Sequence, residues 1–361
     1  MTKKTSVHDV AREAGVSIGS VSRVLNGGTY VSAALESKVM AAVEKLDYRP
    51  DANARNLRMG SSKTIGCLIP DISNPLYAAY VYAIESRLQE NGYMLLIGSS
   101  KGGLAREQEL MHLFESRGMD GIIAIPLKET PSESTEVFSR CRLPLVILDR
   151  DLELQRDTVV TDHRAGVRKA IEYLFSLGHQ RVALFTPGID IRPGRERIAG
   201  YNEAYAAAGR AVDPRLIKAI NPRLVSSYED MKALLALRAP PTAIIGLGTH
   251  ILSAALRAVY DAGLTVPRDL SVIGIGTSDT LEFAHPPMTM LRFDLDENGR
   301  TAAELILDRI RLGNTPPYLH ITKPMELVIA SSCAPPRLPE LQRGDSAVGD
   351  EHLRIDKRRL V

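Results

Sequence analysis

The run Val7-His-Asp-Val-Ala-Arg-Glu-Ala-Gly-Val-Ser-Ile-Gly-Ser-Val-Ser-Arg-Val-Leu-Asn26 reads as two short helices broken by a glycine, a helix-turn-helix. Val7, Val10, Ala11 and Ala14 share one helical face. Gly15 supplies a turn residue that accepts positive φ, and Ser17 stands where it can cap a second helix with Val21, Val24 and Leu25 inside. The outer face of that helix carries Ser17, Ile18, Gly19, Ser22 and Arg23, small or slender groups plus one long cation that fit a major groove. This pattern implies double-stranded DNA as a partner. Downstream, Ala33 to Leu46 places Leu35, Val39, Ala42, Val43 and Leu46 on one face, so a third helix can close a small core. Asp47-Tyr-Arg-Pro50 stops it, Asp51 to Leu57 offers one more short helix, and the polar stretch to Lys63 reads as a linker.

The chain has 361 residues, room for a head of about 60 residues and a larger body. With 44% hydrophobic and 24% charged residues the composition is that of a soluble globular protein, which excludes a disordered chain. No stretch approaches the roughly 18 apolar residues of a membrane span, and the start lacks the apolar core of a signal peptide. The expectation is a cytoplasmic, nucleoid-associated protein with no membrane partner. Cys67, Cys141 and Cys333 are odd in number and scattered, so neither a disulfide nor a metal site is expected, and no cofactor. Net charge is +2, yet up to Lys63 ten Lys and Arg stand against six Asp and Glu. The head is therefore basic and the body slightly acidic, as a DNA-binding domain joined to a sensing domain would be.

From Thr64 short apolar runs alternate with amphipathic stretches, the pattern of parallel βαβ units. Strands are expected at Ile65 to Ile69, Met94 to Ile97, Gly121 to Ile125, Leu145 to Leu148, Val182 to Phe185, Ala243 to Leu247, Val272 to Ile275 and Met288 to Leu291. Helices are expected at, among others, Leu76 to Glu90, Ala165 to Leu177, Ile251 to Ala262 and Asn298 to Leu312. Such sheets bind ligands beyond the carboxyl ends of their strands. The residues there are Asp71 to Tyr77, Asp149 and Arg150, Arg192 to Arg197, Gly248 to His250, and Gly276 to Ser278.

Several separated motifs then carry a family resemblance: Asp9-Val-Ala-Arg-Glu-Ala-Gly-Val-Ser17, Val21-Ser-Arg-Val-Leu-Asn26, Leu46-Asp-Tyr-Arg-Pro50, Ile72-Ser-Asn-Pro75, Leu177-Gly-His179, Arg197-Ile-Ala-Gly-Tyr201 and Val266-Pro267. From about Ser6 to about Ser332 the chain resembles the lactose-repressor/galactose-repressor family of bacterial transcription regulators. The resemblance implies a homodimer whose all-α heads bind a palindromic operator, with an α/β body in the two-lobed fold of periplasmic sugar-binding proteins. It divides the chain into a head at residues 1–58 with a hinge helix at about 50–57, a linker at 59–63, and an effector domain at 64–334. Lobe 1 would take 64–161 and 293–323, and lobe 2 would take 162–292 and 324–334. Residues 335–361 read as a flexible tail, without the leucine heptads of a tetramerising coiled coil.

By resemblance, Ile18, Gly19 and Arg23 point into the major groove. Ile18 can favour a thymine methyl, Gly19 leaves space for close approach, and Arg23 reads either as a fork on guanine or as a phosphate clamp. Ser17, Ser22 and Asn26 would hold phosphates and set register. The hinge segment, with Ala54 and Leu57, would lie in the minor groove and insert Leu57 between base pairs.

The effector-site expectation comprises Asn74, Tyr77, Asp149, Arg150, Arg195, Arg197, Gly248, Thr249, His250, Gly276 and Thr277. Sugar-binding members often carry an Asn-Asp where this chain has Gly248-Thr249, and Asp-containing ends where it has Gly276-Thr277. Losing those groups while Arg150 and Arg197 match pocket arginines leaves a site suited to an anion, such as a sugar acid or phosphosugar. Arg192 and Arg195 read either as ligands or as solvated loop residues, His250 as a ligand or a helix start, and His179 as a turn residue. Two other classes compete with this reading. Gly246-Leu-Gly248 and Gly274-Ile-Gly276 each resemble half of a dinucleotide fingerprint, but both lack the third glycine, so an NAD-dependent enzyme is not expected. A solute-binding protein would need no DNA-binding head.

Overall fold

The computed structural model describes residues 5–25, 31–48, 60–129, 132–220, 227–247, 250–276, 285–313 and 315–337. Helices α1 (Val7–Ala14), α2 (Ile18–Leu25) and α3 (Ala33–Lys45) form the head. Their ends follow from local chemistry. At the start of α1 the Asp9 carboxylate accepts the Ser6 N–H at 3.0 Å and the Ser6 hydroxyl at 2.6 Å, placing negative charge where the helix dipole favours it. Gly15 ends the helix at φ 63°, in the left-handed region, and Ser17 Oγ then accepts the Ser20 N–H at 3.1 Å to open α2. Val10, Ala11, Val21, Val39 and Ala42 are buried together, ringed by Val7, Val24, Leu25, Leu35 and Leu46. These are the inner faces implied by the periodicity.

Among the described residues, the body is built on two six-stranded sheets. The first holds β1 (Thr64–Ile69), β2 (Met94–Ser99), β3 (Gly121–Ala124), β4 (Leu145–Leu148), β5 (Asp157–Thr161) and β11 (His320–Lys323), in the order β11-β5-β4-β3-β1-β2, all parallel. Helices α4 (Pro75–Glu90), α5 (Leu104–Ser116), α6 (Ser132–Ser139) and α11 (Leu295–Leu312) belong with it. The second sheet holds β6 (Val182–Pro187), β7 (Ile217–Ile220), β8 (Ala243–Leu247), β9 (Ser271–Ile275), β10 (Thr289–Arg292) and β12 (Glu326–Val328), in the order β12-β10-β9-β8-β6-β7. Its helices are α7 (His163–Ser176), α8 (Arg192–Ala207), α9 (Ser227–Leu235) and α10 (His250–Asp261). The chain crosses between sheets after β5, after β10 and after β11. Residues on both lobes therefore converge where those crossings meet the strand ends.

The expectation of parallel sheets needs one correction: β12 pairs antiparallel with β10, Met290 facing Val328. The reason is topological. β10 and β11 both end where the chain crosses between the sheets, and after β11 only Pro324 and Met325 intervene, so β12 enters the second sheet from the end at which β10 leaves it and runs opposite to it. Strands β5, β7, β11 and β12 are additions to the sequence reading. Arg192 to Arg197, read as a post-strand segment, is the first turn and a half of α8 with Pro193 near its start. No described helix is long and apolar enough to cross a membrane.

His179 is a structural residue, in keeping with its reading as part of a turn. Its Nδ1 lies 2.8 Å from Thr242 Oγ1, and its Nε2 lies 3.0 Å from both Ser271 Oγ and the Ala334 carbonyl. It joins the end of α7 to β9 and to the chain's return after β12. Ser332 does similar work, donating to the Val272 carbonyl at 2.6 Å while accepting the Thr289 N–H at 2.7 Å.

Candidate functional site

On the head, the first turn of α2 presents Ile18 and Gly19 outward, and Arg23 follows one turn later on the same side, opposite the buried Val21. Ile18 is 38% exposed, and an added Cβ at Gly19 would meet only Ser17 Oγ, at 3.7 Å. The face is open and slim at one end and cationic at the other. Arg23 folds back on its own helix, Nε donating to the Gly19 carbonyl at 3.4 Å, a long bond easily exchanged for a better acceptor. Ser17 is exposed with its oxygen engaged in the cap, and Ser22 is half-buried. Asn26, Ala54 and Leu57 lie outside the described residues.

In the body the strand ends bring together Asp149, Arg150, Tyr77, Arg197 and a residue the sequence reading did not name, His163. Asp149 follows β4 in a left-handed conformation, φ 58°, which aspartate tolerates better than most side-chain-bearing residues. That turn buries both it and Arg150. The Arg150 guanidinium is satisfied within lobe 1: Nε donates to the Pro126 carbonyl at 2.8 Å, Nη1 to the Asp149 carbonyl at 2.8 Å and its carboxylate at 3.4 Å, and Nη2 to the Tyr77 hydroxyl at 3.4 Å. It is a fixed positive wall, not a free fork.

Arg197, on α8, is different. It is buried to 2% exposure and makes one side-chain contact, Nη2 to His163 Nδ1 at 3.5 Å, while Nε and Nη1 have no partner. Because a guanidinium can only donate, His163 Nδ1 must be the acceptor, which puts the ring proton on Nε2, 3.4 Å from Asp149 Oδ1. Burial, reinforced by the field of Arg197, pushes the His163 imidazole down to about 4, so it is neutral near pH 7. Burial also pulls Arg197 down, to about 10, and still leaves it charged. Burial alone would raise the Asp149 carboxyl, but the His163 bond and the charges of Arg150 and Arg197 hold it below its ordinary value. Asp149, neutral His163 and Arg197 thus form a chain that crosses from lobe 1 to lobe 2. Phe293 packs edge-on against the His163 ring at 5.7 Å.

Two further buried polar atoms lie on the same side of the body. Asn298 donates to Thr161 Oγ1 at 3.1 Å, and its Oδ1 and the buried Tyr80 hydroxyl lie together beside Thr161 without a well-aligned hydrogen bond. Neither was visible in the sequence, since both sit on helix faces that periodicity reads as ordinary core.

Arg195, expected among the effector ligands, bridges the lobes in this structure. Its guanidinium pairs with Glu129, from the loop after β3, and donates to the Ile189 carbonyl at 3.2 Å. Glu129 is itself held by the Asp151 N–H at 2.9 Å, and Lys128 pairs with Asp190 at 3.0 Å beside it. Arg192 is likewise no solvated loop residue, since Nη1 donates to the Thr161 carbonyl at 2.6 Å. Asn74 caps α4, Oδ1 accepting the Leu76 N–H at 3.1 Å, which fixes its side chain at the helix start. Gly276 adopts φ 101°, where side-chain-bearing residues are strained, so the missing carboxylate there has a backbone cause. Gly248, Thr249, Thr277 and the side chain of His250 lie outside the described residues.

The three cysteines are free, and burial raises the thiols of Cys67 to about 12 and Cys141 to about 11, which leaves both protonated. Among the described residues no group of three or more His, Cys, Asp or Glu is placed to hold a metal.

Comparison with known proteins agrees with this arrangement. Residues 6–51 match the model for bacterial regulatory proteins of the lacI family, and residues 171–333 match a periplasmic binding protein-like domain. The chain is 30% identical over 329 residues to the HTH-type transcriptional repressor PurR of Photobacterium profundum, covering 91% of this chain and 98% of the relative. It is 33% identical over 340 residues to the HTH-type transcriptional regulator DegA of Bacillus subtilis (strain 168), covering 92% and 99%. Among solved structures, the lac repressor dimer bound to operator and the anti-inducer ONPF superposes with a TM-score of 0.81 at 25% identity, over 92% of this chain and 100% of that one.

Proposed function

Because the chain belongs to the lacI family of bacterial regulatory proteins, and is a DNA-binding transcriptional regulator and not an enzyme, we propose that it is an operator-binding repressor switched by an anionic metabolite. In this reading the head, residues 1–58, reads DNA in the cytoplasm through Ile18, Gly19 and Arg23, with Ser17 and Ser22 on phosphates. Two copies would be needed to span a palindrome, as in the operator-bound lac repressor dimer.

The observation that carries the effector reading is Arg197. A buried guanidinium with two nitrogens unpartnered is costly unless something completes it, and charge-assisted hydrogen bonds from a carboxylate or phosphate complete it best. The flanking groups support this. Arg150 offsets the Asp149 carboxylate on the lobe 1 side, and Asp149 and His163 hold Arg197 in place without taking its free donors. The ligand would then bias the separation of the lobes and, through the linker at residues 59–63, the spacing of the heads.

The test is a binding screen on the full chain, by thermal shift and then calorimetry, of sugar acids, phosphosugars, small carboxylates and neutral sugars. An acid should bind and alter operator affinity, and Arg197→Ala should weaken that binding by about 1.5 to 3 kcal/mol. Tight binding of a neutral sugar, undiminished in Arg197→Ala, would overturn the reading.

A further inference from the structure

The anion reading leaves carboxylate and phosphate equally open, and the charges around Arg197 discriminate between them. Four cations around it at the junction of the lobes each have a carboxylate of their own. Arg150 lies 3.4 Å from Asp149, Arg195 pairs with Glu129, Lys128 lies 3.0 Å from Asp190, and Arg192 has Asp151 at 4.0 Å as well as the Thr161 carbonyl. Glu107 is a further buried carboxyl in the field of Arg150, accepting the Leu127 N–H at 2.8 Å, and whatever charge it carries is negative. Arg197 is left with a neutral imidazole as its one side-chain partner and two open, buried donors. Of these cations Arg197 alone lacks a carboxylate of its own, so the described junction has at most one positive charge to offer a ligand.

The geometry points to an effector that is a monoanionic carboxylate, such as a hydroxy or sugar acid, delivered to Arg197, and not a phosphate monoester. This rests on the anionic-effector reading and narrows it. One carboxylate neutralises one guanidinium. A phosphate monoester carries about −1.5 to −2 at pH 7, so it would bury additional negative charge with no cation free to meet it and with the Asp149 carboxylate close by. Releasing Arg195 from Glu129 would supply the missing cation.

The experiment compares five- and six-carbon aldonic and uronic acids, glycerate and lactate with the matching phosphosugars and with the parent neutral sugars. Binding to the full chain is read by thermal shift and then calorimetry at constant ionic strength and pH 7. The expected result is that the best carboxylate binds about tenfold or more tighter than the best phosphosugar, and that Arg197→Ala removes the advantage. Glu129→Gln, which frees Arg195, should shrink the carboxylate preference by improving phosphosugar binding. Asp149→Asn should act in the same direction from the other side of the site. A phosphosugar that binds as tightly as the best acid to the unmodified chain overturns the monoanion assignment while leaving an anionic effector standing. A neutral sugar that binds independently of Arg197 overturns both. Failure of every carboxylate to stabilise the chain at about 10 mM also counts against the assignment.

Discussion

Arg197 and His163 meet within lobe 2, between α8 and α7, at 3.5 Å, guanidinium Nη2 to imidazole Nδ1, in a contact that requires the histidine to be neutral. A proton on Nδ1 would abolish the acceptor and set two cations against each other. This fixes the direction in which acid acts on the fold. The unfolded histidine titrates near 6.5 and the folded one near 4, so between those values the unfolded chain binds the proton and stability falls as pH drops. Glu107 acts oppositely. Burial raises its carboxyl from 4.5 to about 7, so the stability it contributes is complete below 4.5 and is lost as pH rises toward 7. The two contributions largely cancel in the unmodified chain. His163→Gln, which can still accept from Arg197 and donate to Asp149, should expose the Glu107 slope, with stability falling as pH rises from about 4.5 to 7. Glu107→Gln should expose the reverse. Denaturant melts at half-unit intervals would show slopes approaching about 1.4 kcal/mol per pH unit, with opposite signs. The same sign in both variants would refute the assignment.

The head was legible because its signals are local. Helical spacing of valines, one glycine and one serine cap define it, and the resulting core matches them. The body was legible where strands are uniformly apolar. Strand β5 escaped notice because Asp157, Thr158 and Thr161 are polar yet buried, each satisfied by a residue far along the chain: Arg309, His320 and Asn298. No sequence period encodes such partners. In the site, Asp149, Arg150 and Arg197 stood out because they follow strands or match a motif. Glu129 and His163 acquire meaning only when the lobes come together. Gly276 is the converse case, an absent carboxylate read as chemistry at a position whose φ of 101° supplies a backbone reason for glycine as well.

Gly276 gives a direct check of that reason. At φ 101° an alanine is strained although space exists, since an added Cβ would meet Phe293 Cε1 at an unremarkable 3.7 Å. Gly276→Ala should lower stability by about 1 to 3 kcal/mol without changing operator affinity. An alanine variant as stable as the parent would restore the reading of Gly276 as a purely functional departure.

Arg23→Ala should separate reading from clamping on the head. Loss of a bidentate base contact costs about 1 to 3 kcal/mol on the cognate duplex and relaxes preference at one base pair, whereas loss of a phosphate contact weakens all duplexes alike and lowers the salt slope. The long bond to the Gly19 carbonyl means little is lost when the side chain swings out. Titration against cognate and scrambled duplexes at two salt concentrations decides it. Uniform weakening would assign Arg23 to the backbone.

The pairing of Arg195 with Glu129 predicts how the lobes hold together. Glu129 is only 2% exposed at its side chain, whereas Arg195 is 39% exposed, so part of the attraction is screened by solvent. The geometry matters more than the charge. Glu129 also takes the Asp151 N–H, and its own N–H donates to the Asp190 carbonyl at 3.0 Å, so one residue links the loop after β4 to the start of α8. Arg195→Gln should leave the lobes folded but less firmly joined, a loss of about 1 kcal/mol confined to this junction. Hydrogen exchange at the Glu129 and Asp151 amides would then accelerate about fivefold, while the central strands of both sheets stay protected. A spin-label distance between the lobes should broaden toward longer values, and the double exchange Glu129→Arg with Arg195→Glu should recover both readouts at least in part. Unchanged amide exchange in Arg195→Gln would show that the Arg195–Glu129 pair adds nothing to the hold between the lobes.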